Sequence, residues 1–554
     1  MITGIGVSRG VAIGPAALVS PAAGVDNAES PTTDVPVALA RVQDALEQVA
    51  NGLRDRAAHA SANASGVLEA DAMMALDPAL IGTIEQRLQA GDGVTAAVHG
   101  AVEQYSAMLE SLGGYMAERV ADLHDVRNRA IARLRGLPEP GLPELLVPSI
   151  LVATDLAPAE TALLDPAMCL ALVTTAGGPT SHTAILASGL GIPAVVQAGE
   201  FEVAPGTMLA VDGNTGQVIV GPSLGEQAEF WQRQARRAAM MTNSDAPGAT
   251  SDGHLVALLA NVGAVAAAEA AAAEAVEGVG LFRTEFLFLD QADAPTLEQQ
   301  TAAYTAVLAA FGRRHVVIRT LDAGADKPLA FADLGPEPNP ALGRRGLRLG
   351  QIRQDLMDTQ LQALAAAYQA TGGDLWVMAP MVGTVQETTW FVERARSFGL
   401  PKVGVMIEIP AAALRARQVL EIADFASLGT NDLQQYTMAA DRLQGELATL
   451  LNPWQPAVFD IIAAACEGAA AAGKPIGVCG ESGGDPALAL VLTGLGVTSL
   501  SMAVSKVPAV RTVLAAHTFE QCQALAGLAR AADGPEEARS AVLAAAEPVL
   551  RDLA

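Results

Sequence analysis

Apolar residues recur at intervals of three and four positions throughout the segment between Pro36 and Leu137. The clearest series is Leu39, Val42, Leu46, Val49 and Leu53. Similar spacing recurs in Leu80–Leu88, Val94–Leu109 and Tyr115–Leu134. Because this spacing places the apolar side chains on one face of a helix, the segment predicts an all-helical block of about four helices.

Short apolar runs, separated by glycines and prolines, lie on both sides of this block. They are Ile5–Val7, Val11–Gly14, Ser149–Val152, Leu170–Thr175, Ala194–Val196, Met208–Asp212 and Gln217–Val220. Runs of this kind predict strands. The simplest organisation is one α/β domain built from residues 1–20 and 140–222, with the helical block inserted as residues 21–139. Residues 223–245 then predict a connecting helix.

From residue 246 to residue 554, short apolar runs alternate with helical patterns. The runs are Leu255–Ala260, Gly278–Phe282, Val316–Ile318, Leu375–Ala379, Val403–Ile407, Phe425–Leu428, Ile476–Val478 and Thr498–Ser501. Eight such units in about 300 residues are typical of a (β/α)8 TIM barrel. A doubly wound parallel sheet is the alternative, but the number and spacing of the runs favour the barrel.

The charge of the chain limits its partners. It has 34 Lys and Arg against 60 Asp and Glu, a net charge of −26, which argues against nucleic acid or an anionic membrane as a broad partner. Only four of the 34 cationic residues are Lys, so an anion would be held by Arg side chains. We see no signal peptide, no transmembrane segment and no paired cysteine motif, and we therefore expect a cytoplasmic protein.

Polar residues follow the ends of six of the eight predicted barrel strands. They are Asn261, Arg283 with Glu285, Arg319 with Asp322, Glu408, Asn431 with Asp432, and Cys479. In a barrel these positions share one face, where active sites are built. The set suits a multiply anionic substrate bound with a divalent cation. Arg side chains can grip the substrate oxygens, and Glu408 and Asp432 are ligands of the type that Mg²⁺ prefers.

Each of these residues also has a plainer interpretation. Arg283 could pair with Glu285, and Thr430 or Asn431 could cap the helix that follows. Cys479 could be a small buried apolar residue or a proton donor. The coincidence on six strands favours a functional interpretation of the group as a whole.

A second candidate site is the segment GGPTSHTAILA, which contains His182. A predicted strand leads into a Gly-Gly-Pro turn, and His182 falls in the first turn of the predicted helix that follows. The positive end of the helix dipole keeps such an imidazole neutral at pH 7 and stabilises negative charge placed on it. Both properties suit a histidine that accepts a phosphoryl group. The alternative is a histidine that simply bonds to a nearby backbone carbonyl.

Together these motifs resemble those of the phosphoenolpyruvate-utilising enzyme family. GGPTSHTAILA resembles the phosphohistidine signature of that family. Six further segments resemble the motifs of the phosphoenolpyruvate-binding barrel of that family. They are VGLFRTEFL, VIRTLDAGADK, NPALGRRGLR, VGVMIEIPAA, ADFASLGTNDLQQYTMAADR and GVCGESGGD. The resemblance covers nearly the whole chain and is strongest to the phosphoenolpyruvate-protein phosphotransferases, the Enzyme I branch of the bacterial sugar phosphotransferase system.

The resemblance implies a role for each matching residue. His182 would be the phosphorylated nucleophile, and Cys479 would deliver a proton to enolpyruvate. The residues that would bind phosphoenolpyruvate are Arg283, Arg319, Asn431, Asp432 and Arg442, with Arg345 as a further match of less defined role. Glu408 and Asp432 would hold Mg²⁺.

The resemblance also implies partners and movements. The helical block would dock the carrier protein HPr, in agreement with 13 Asp and Glu against 5 Arg in residues 37–125. The barrel, residues 246–554, would form a homodimer, and neither nucleic acid nor membrane insertion is expected. The domain that carries His182 would have to move between the barrel and HPr, with residues 223–245 as the expected hinge.

Two departures and two alternatives accompany the resemblance. Pro179 and Ser188 stand where several relatives carry Arg, which leaves backbone N–H groups to neutralise the phosphate on His182.

A synthase or dikinase that makes phosphoenolpyruvate with ATP shares the motifs, but it needs a nucleotide-binding domain for which we find no sequence. A non-catalytic regulatory relative is the other alternative, and the intact His182 and Cys479 argue against it.

Overall fold

The structure is a computed structural model, and the chain folds into two compact units, Met1–Gln234 and Ala235–Ala554. It describes residues 2–8, 10–19, 24–26, 29–57, 62–112, 119–137, 140–143, 145, 147–154, 156, 164–178, 183–184, 187, 190–240, 246–288, 293–323, 329–332, 335, 337–442, 444, 447 and 449–553. None of the helices in these ranges has the length and apolar character needed to cross a membrane.

The first unit contains an eight-stranded sheet. Its strands are β1 (Ile2–Thr3), β2 (Ile5–Ser8), β3 (Val11–Leu18), β4 (Ser149–Ala153), β5 (Cys169–Thr174), β6 (Ala194–Val196), β7 (Met208–Asp212) and β8 (Gln217–Val220). Their order is β1-β8-β7-β3-β4-β5-β6-β2, in which β3 to β6 run parallel and the other pairings are antiparallel. Ala16 of β3 lies opposite Ile150 of β4, so strands from both sides of the helical segment share one sheet.

Between β3 and β4 the chain forms helices with a core of their own. They are α1 (Val35–Ala57), α2 (Ala62–Ala75), α3 (Pro78–Gln89), α4 (Val94–Leu112) and α5 (Val120–Leu134). Of the periodic residues of α1, Val42, Leu46, Val49 and Leu53 are buried as their spacing predicts, and Leu39 is half-buried. Asp77 caps α3 by accepting a hydrogen bond from the Ala79 N–H at 2.7 Å, and Pro78 follows in the first turn.

One helix of this block, α2, was not predicted. Its sequence, ANASGVLEADAMMA, is rich in alanine and has almost no apolar stripe, so residue spacing gives no signal for it. A longer helix, α6 (Leu224–Met240), falls within the predicted connecting segment 223–245.

The second unit is a closed barrel of eight parallel strands, which confirms the predicted TIM barrel and excludes the doubly wound sheet. The strands are β9 (Ala257–Val262), β10 (Gly278–Arg283), β11 (His315–Arg319), β12 (Leu375–Ala379), β13 (Lys402–Ile407), β14 (Ala426–Leu428), β15 (Ile476–Val478) and β16 (Ser499–Met502). β16 pairs with β9 and closes the barrel.

Helices follow the strands and surround the barrel. They are α7 (Val265–Ala272), α8 (Glu285–Phe288), α9 (Leu297–Phe311), α10 (Leu347–Ile352), α11 (Gln354–Thr371), α12 (Val385–Ser397), α13 (Pro410–Leu414), α14 (Ala416–Leu420), α15 (Thr430–Met438), α16 (Pro456–Ala472), α17 (Pro486–Gly494), α18 (Val507–Ala516), α19 (Phe519–Ala531), α20 (Pro535–Ala545) and α21 (Pro548–Leu553). Short 3₁₀ turns occur at Ala330–Ala332, Pro340–Leu342, Glu481–Gly484 and Val504–Lys506.

The first barrel strand begins two residues later than predicted. Leu255 is 68% exposed and makes only an isolated bridge with Ala249, so the strand starts at Ala257. The strand also runs on past Asn261 to Val262, so Asn261, which was predicted to follow the strand, lies inside it. The Asn261 side-chain amide donates to the Cys479 carbonyl at 3.1 Å and the Ser501 carbonyl at 3.3 Å.

Side chains of each barrel strand alternate between the interior and the helices outside. In β11, Val316 and Ile318 pack in the core between strands and helices. Val317 instead belongs to an apolar cluster inside the barrel, with Met378 and Met406. Both faces of the strand are buried, which explains the continuous apolar run in its sequence.

Candidate active site

The predicted barrel residues lie where the strands end. Those at strand ends or in the turns that follow directly are Arg283, Arg319, Glu408, Asn431, Asp432 and Cys479. Arg345 and Arg442 lie in longer connections that leave β11 and β14. Because the strands are parallel, all these segments share the carboxyl-end face of the barrel, which we call the barrel mouth.

Arg319, the last residue of β11, is buried among carboxylates. Its guanidinium lies 3.0 Å from Glu285, 3.2 Å from Asp322 and 4.0 Å from Glu408. Burial alone would lower its pKa, but these carboxylates raise the pKa above that of an ordinary Arg. Arg319 is therefore a permanently charged and closely held cation at the mouth.

Arg345 extends the same network. Its guanidinium donates to Asp432 at 3.0 Å and to Asp322 at 3.1 Å, and its side chain is buried. Asp322 thus joins the two buried guanidinium groups of Arg319 and Arg345. The structure brings Arg345, which the sequence left with a less defined role, into direct contact with a predicted metal ligand.

Glu408 and Asp432 were predicted to hold a divalent cation. Glu408 is buried and accepts a hydrogen bond from the Met381 N–H at 2.8 Å. Burial raises its pKa to about 8, with further contributions from the charges of Asp432 and Asp322. A carboxyl group that resists ionisation in this way is stabilised as a carboxylate when a cation lies beside it.

The surroundings of Glu408 fit such a cation. A Cβ atom at Gly429 would lie 2.7 Å from a Glu408 carboxyl oxygen, so only glycine leaves this side of the carboxylate open. Within the described ranges, no three His, Cys, Asp or Glu side chains form a complete metal cage. Mg²⁺ commonly uses one or two carboxylates and completes its shell with substrate phosphate and water, which is the donor set available here.

The start of α15 differs from the predicted cap. Gly429 occupies the cap position and makes no side-chain bond, so neither Thr430 nor Asn431 caps the helix. Asn431 instead accepts weakly from the Glu481 N–H at 3.5 Å, and the buried Thr430 hydroxyl has no partner among the described residues. The first N–H groups of this helix remain available to an anion.

Arg283 differs from the buried arginines. It is half-buried at the end of β10, and it has no ion pair with any residue that the structure describes. The plainer interpretation, in which Arg283 pairs with Glu285, is wrong, because Glu285 pairs with Arg319. Arg442 is also half-buried, 3.9 Å from Asp432. Arg283 therefore offers the least compensated positive charge of the mouth.

Cys479 follows β15 and is buried. Its sulfur lies 3.6 Å from the Leu428 carbonyl, and burial raises the pKa of the thiol to about 11. The thiol therefore stays protonated at neutral pH. It is a potential proton donor rather than a nucleophile, and it packs against the apolar interior of the barrel.

Sequence reasoning placed Glu285 and Asp322 at the barrel mouth but gave neither a role in the network. Both follow strand ends, and this position was the available signal. Arg319 lies only three residues before Asp322, but Arg345 lies 23 residues beyond it. Spacing alone could not show that these carboxylates hold the two buried arginines in place.

The segment GGPTSHTAILA, which contains His182, is described only in part. β5 ends at Thr174 and leads to Gly177, which has a positive φ of 80° as the predicted turn requires. Residues 183, 184, 187 and 190 are helical, and the Thr183 hydroxyl donates to the Leu156 carbonyl at 3.3 Å. His182, Pro179 and Ser188 lie outside the described residues.

Comparison with known families agrees with this geometry. A model described as PEP-utilising enzyme, PEP-binding domain, matches residues 237–519, which are more than half of the chain. The chain belongs to the family of PEP-utilising enzymes. The N-terminal domain of PEP-utilising enzymes matches residues 3–119, and their mobile domain matches residues 146–216. Enzymes of this family are generally metal-dependent.

Relatives match along almost the whole length of this PEP-utilising enzyme. A phosphoenolpyruvate-protein phosphotransferase of Streptomyces coelicolor is 52% identical over 98% of this chain and 98% of its own. One from Enterococcus faecalis is 37% identical over 93% of this chain and 94% of its own. A multiphosphoryl transfer protein of Xanthomonas campestris is 38% identical over 97% of this chain and 66% of its own.

Proposed function

We propose that this chain transfers the phosphoryl group of phosphoenolpyruvate to His182 and then to the carrier protein HPr, with release of pyruvate. This reaction would be the first step of phosphotransferase sugar uptake. The observation that carries the proposal is the 52% identity with the Streptomyces coelicolor phosphoenolpyruvate-protein phosphotransferase over 98% of both chains. The charged barrel mouth supports it, because phosphoenolpyruvate carries a phosphate and a carboxylate.

In this proposal the barrel mouth binds phosphoenolpyruvate. Arg283 and Arg319 bind the phosphate oxygens. Arg442, in the connection that leaves β14, also binds phosphoenolpyruvate. Asn431 lies at the start of α15, where free N–H groups also favour phosphate. Arg345 is a further proposed phosphoenolpyruvate ligand, since its bonds to Asp432 and Asp322 use two of the five N–H groups of a guanidinium.

Glu408 and Asp432 are the proposed ligands of Mg²⁺. When bound, the ion would neutralise charge on the phosphoryl oxygens. Arg345 holds Asp432 from one side, and the Met381 N–H holds Glu408, so both carboxylates are oriented before a cation arrives. Second contacts of this kind commonly fix the position of metal ligands.

The proposed chemistry breaks the bond between phosphorus and the enol oxygen. A ring nitrogen of His182 attacks phosphorus in line, and the enol oxygen leaves with the bonding electrons. The Cys479 thiol then donates its proton to the methylene carbon, which yields pyruvate, and the thiolate regains a proton from solvent. Because its pKa is about 11, the thiol holds this proton at neutral pH.

The division of labour along the chain is also proposed. Residues 1–20 and 140–222 carry His182, residues 21–139 dock HPr, and residues 246–554 bind phosphoenolpyruvate and form a homodimer. The reaction would take place in the cytoplasm. The proposal requires the His182 segment and the barrel mouth, which belong to different compact units, to meet during the cycle.

Pyruvate release provides the test. The full-length protein is mixed with phosphoenolpyruvate, Mg²⁺ and HPr, and pyruvate is measured with and without adenine nucleotide. We expect release that requires HPr for turnover and does not require nucleotide. Release that depends on adenine nucleotide would instead indicate a synthase or dikinase, and no release under any of these conditions would indicate a non-catalytic relative.

A further inference from the structure

The barrel contains a cavity at the end opposite to its mouth. Its volume is about 340 Å³, within the range of small-molecule pockets. His315, the first residue of β11, lines it, as do Phe425 just before β14 and Ser499, the first residue of β16. The cavity therefore lies at the amino ends of the strands.

Apolar side chains separate this cavity from the candidate active site. Along β11, His315 and Val317 line the cavity, Val317 also packs inside the barrel with Met378 and Met406, and Arg319 reaches the mouth beyond them. A molecule in the cavity would therefore not occupy the proposed phosphoenolpyruvate site. No role in the proposed phosphoryl transfer uses this part of the molecule.

One wall of the cavity is aromatic. The rings of Trp376 and Phe425 lie with their centroids 4.7 Å apart. Trp376 is fixed, because its indole N–H donates to Asp374 at 3.0 Å. The Lys402 ammonium lies 4.3 Å from the centre of the indole ring, and its charge is paired with Asp374 at 3.4 Å. The electron-rich indole thus already attracts one cation in this structure.

The cavity also has a carboxylate. One oxygen of Glu277 accepts hydrogen bonds from the N–H groups of Gly248 at 2.8 Å and Leu258 at 2.9 Å. Glu277 makes no other polar contact in the described parts of the chain, so its second oxygen is available to a ligand. The hydroxyls of Ser427 and Ser499 add hydrogen-bonding groups to the lining.

The described lining residues include no cation to balance Glu277. His315 is the only basic side chain among them, and burial lowers its pKa to about 4, so it is neutral at physiological pH. An aromatic wall, an uncompensated carboxylate and hydroxyl groups together favour positive charge on a ligand.

We propose that this cavity binds a small organic cation of the substituted-ammonium class. The cation would lie against the rings of Trp376 and Phe425, and Glu277 would balance its charge. The volume admits a molecule about as large as choline. This site is independent of the proposed phosphoryl transfer, so either proposal can fail without the other.

Choline and its uncharged carbon isostere, dimethylbutanol, are suitable probes because they differ mainly in charge. Binding of each to the full-length protein is measured by saturation-transfer NMR and by calorimetric titration. We expect choline to bind at least about tenfold more tightly than dimethylbutanol. Equal affinities, or no detectable choline binding, would overturn the proposal.

Two variants locate the binding. Glu277→Gln keeps an acceptor for the two backbone N–H groups, and it should weaken choline binding about tenfold. Glu274→Gln is the matched control, because Glu274 is exposed and does not line the cavity, and its choline affinity should equal that of the unmodified protein. Unchanged choline affinity in Glu277→Gln would contradict the proposal.

A third variant tests the location of binding independently of Glu277→Gln, in case that variant does not fold. Ser499→Leu adds bulk to the cavity lining and leaves Glu277 in place, and it should abolish the binding of both probes, with circular dichroism to check the fold. Choline binding that survives in a folded Ser499→Leu variant places the probe elsewhere and overturns the proposal. Pyruvate release by the folded variants should stay unchanged, since the cavity lies away from the barrel mouth.

Discussion

At the scale of single residues, the charge of the barrel mouth is unevenly compensated. Four carboxylates surround the two fully buried guanidinium groups of Arg319 and Arg345, namely Glu285, Asp322, Glu408 and Asp432. Burial raises the pKa of Glu408, and the negative charges of Asp432 and Asp322 raise it further. The half-buried Arg442 lies 3.9 Å from Asp432 and offsets part of this charge, and a divalent cation beside Glu408 and Asp432 would offset more of it.

Arg283 should be the main free anion-binding group of the mouth. Arg283→Gln should raise the KM for phosphoenolpyruvate about tenfold or more, because a charged hydrogen bond is lost. Arg283→Lys should recover only part of this loss, since an ammonium lacks the guanidinium fork. Steady-state kinetics provide the measurement, with Arg417→Gln on the exposed surface of α14 as the control. An unchanged KM in Arg283→Gln would remove this residue from the site.

Cys479 should act through its proton. Cys479→Ala should slow pyruvate formation about 100-fold, a typical effect of losing a general acid. It should also remove the facial selectivity of proton addition at the methylene carbon, which is measured by chiral-methyl analysis of the pyruvate formed from stereospecifically deuterated phosphoenolpyruvate in tritiated water. Cys466→Ala, on α16, serves as the control because that buried thiol is remote from the mouth. Full facial selectivity in Cys479→Ala would show that another group donates the proton.

At the scale of elements, the helical block contains a buried ionic contact that should respond to pH. Asp71 on α2 lies 3.1 Å from Arg119, which precedes α5 and also pairs with Asp122 at 3.0 Å. Burial raises the pKa of Asp71 from 3.8 to about 7, with a further contribution from Asp122. The folded block therefore favours the protonated carboxyl group.

Ionisation of the buried Asp71 carboxyl group should destabilise the helical block as the pH rises. The stabilisation that comes from the raised pKa of Asp71 is present in full below pH 4 and is lost as the pH rises through about 7. Between pH 5 and pH 8 the free energy of unfolding of the block should fall by roughly 2–3 kcal/mol. Asp71→Asn should remove most of this dependence and stabilise the block at pH 8. Hydrogen exchange of the α2 and α5 amides provides the measurement, with the exposed Asp44→Asn on α1 as the control. An equal pH dependence in Asp71→Asn would contradict the assigned pKa.

The helices and strands also show which parts of the fold the sequence patterns predict. The barrel strands were predicted within one or two residues, because each is a short apolar run buried on both faces. The alanine-rich α2 was missed, since its spacing carries no stripe. Predicted polar residues converged because parallel strands end at one face. The contacts of Arg319 and Arg345 with Asp322 depend on tertiary packing, and no spacing rule gives them.

At the scale of the whole molecule, the two compact units have separate hydrophobic cores. Differential scanning calorimetry should therefore resolve two transitions. Phosphoenolpyruvate with Mg²⁺ should raise only the transition of the barrel, because a ligand stabilises the unit that binds it. The measurement uses His182→Ala so that the ligand is not consumed. A single transition, or an equal shift of both, would show that the units unfold together.

The central claim is that His182 carries the phosphoryl group between phosphoenolpyruvate and HPr. Intact-mass spectrometry after mixing the protein with phosphoenolpyruvate and Mg²⁺ tests it most directly, with His182→Ala measured in parallel. We predict that the unmodified protein gains the mass of one phosphoryl group, that added HPr removes it, and that His182→Ala gains none. A phosphorylated His182→Ala protein, or an unmodified protein that gains no mass, would contradict the account.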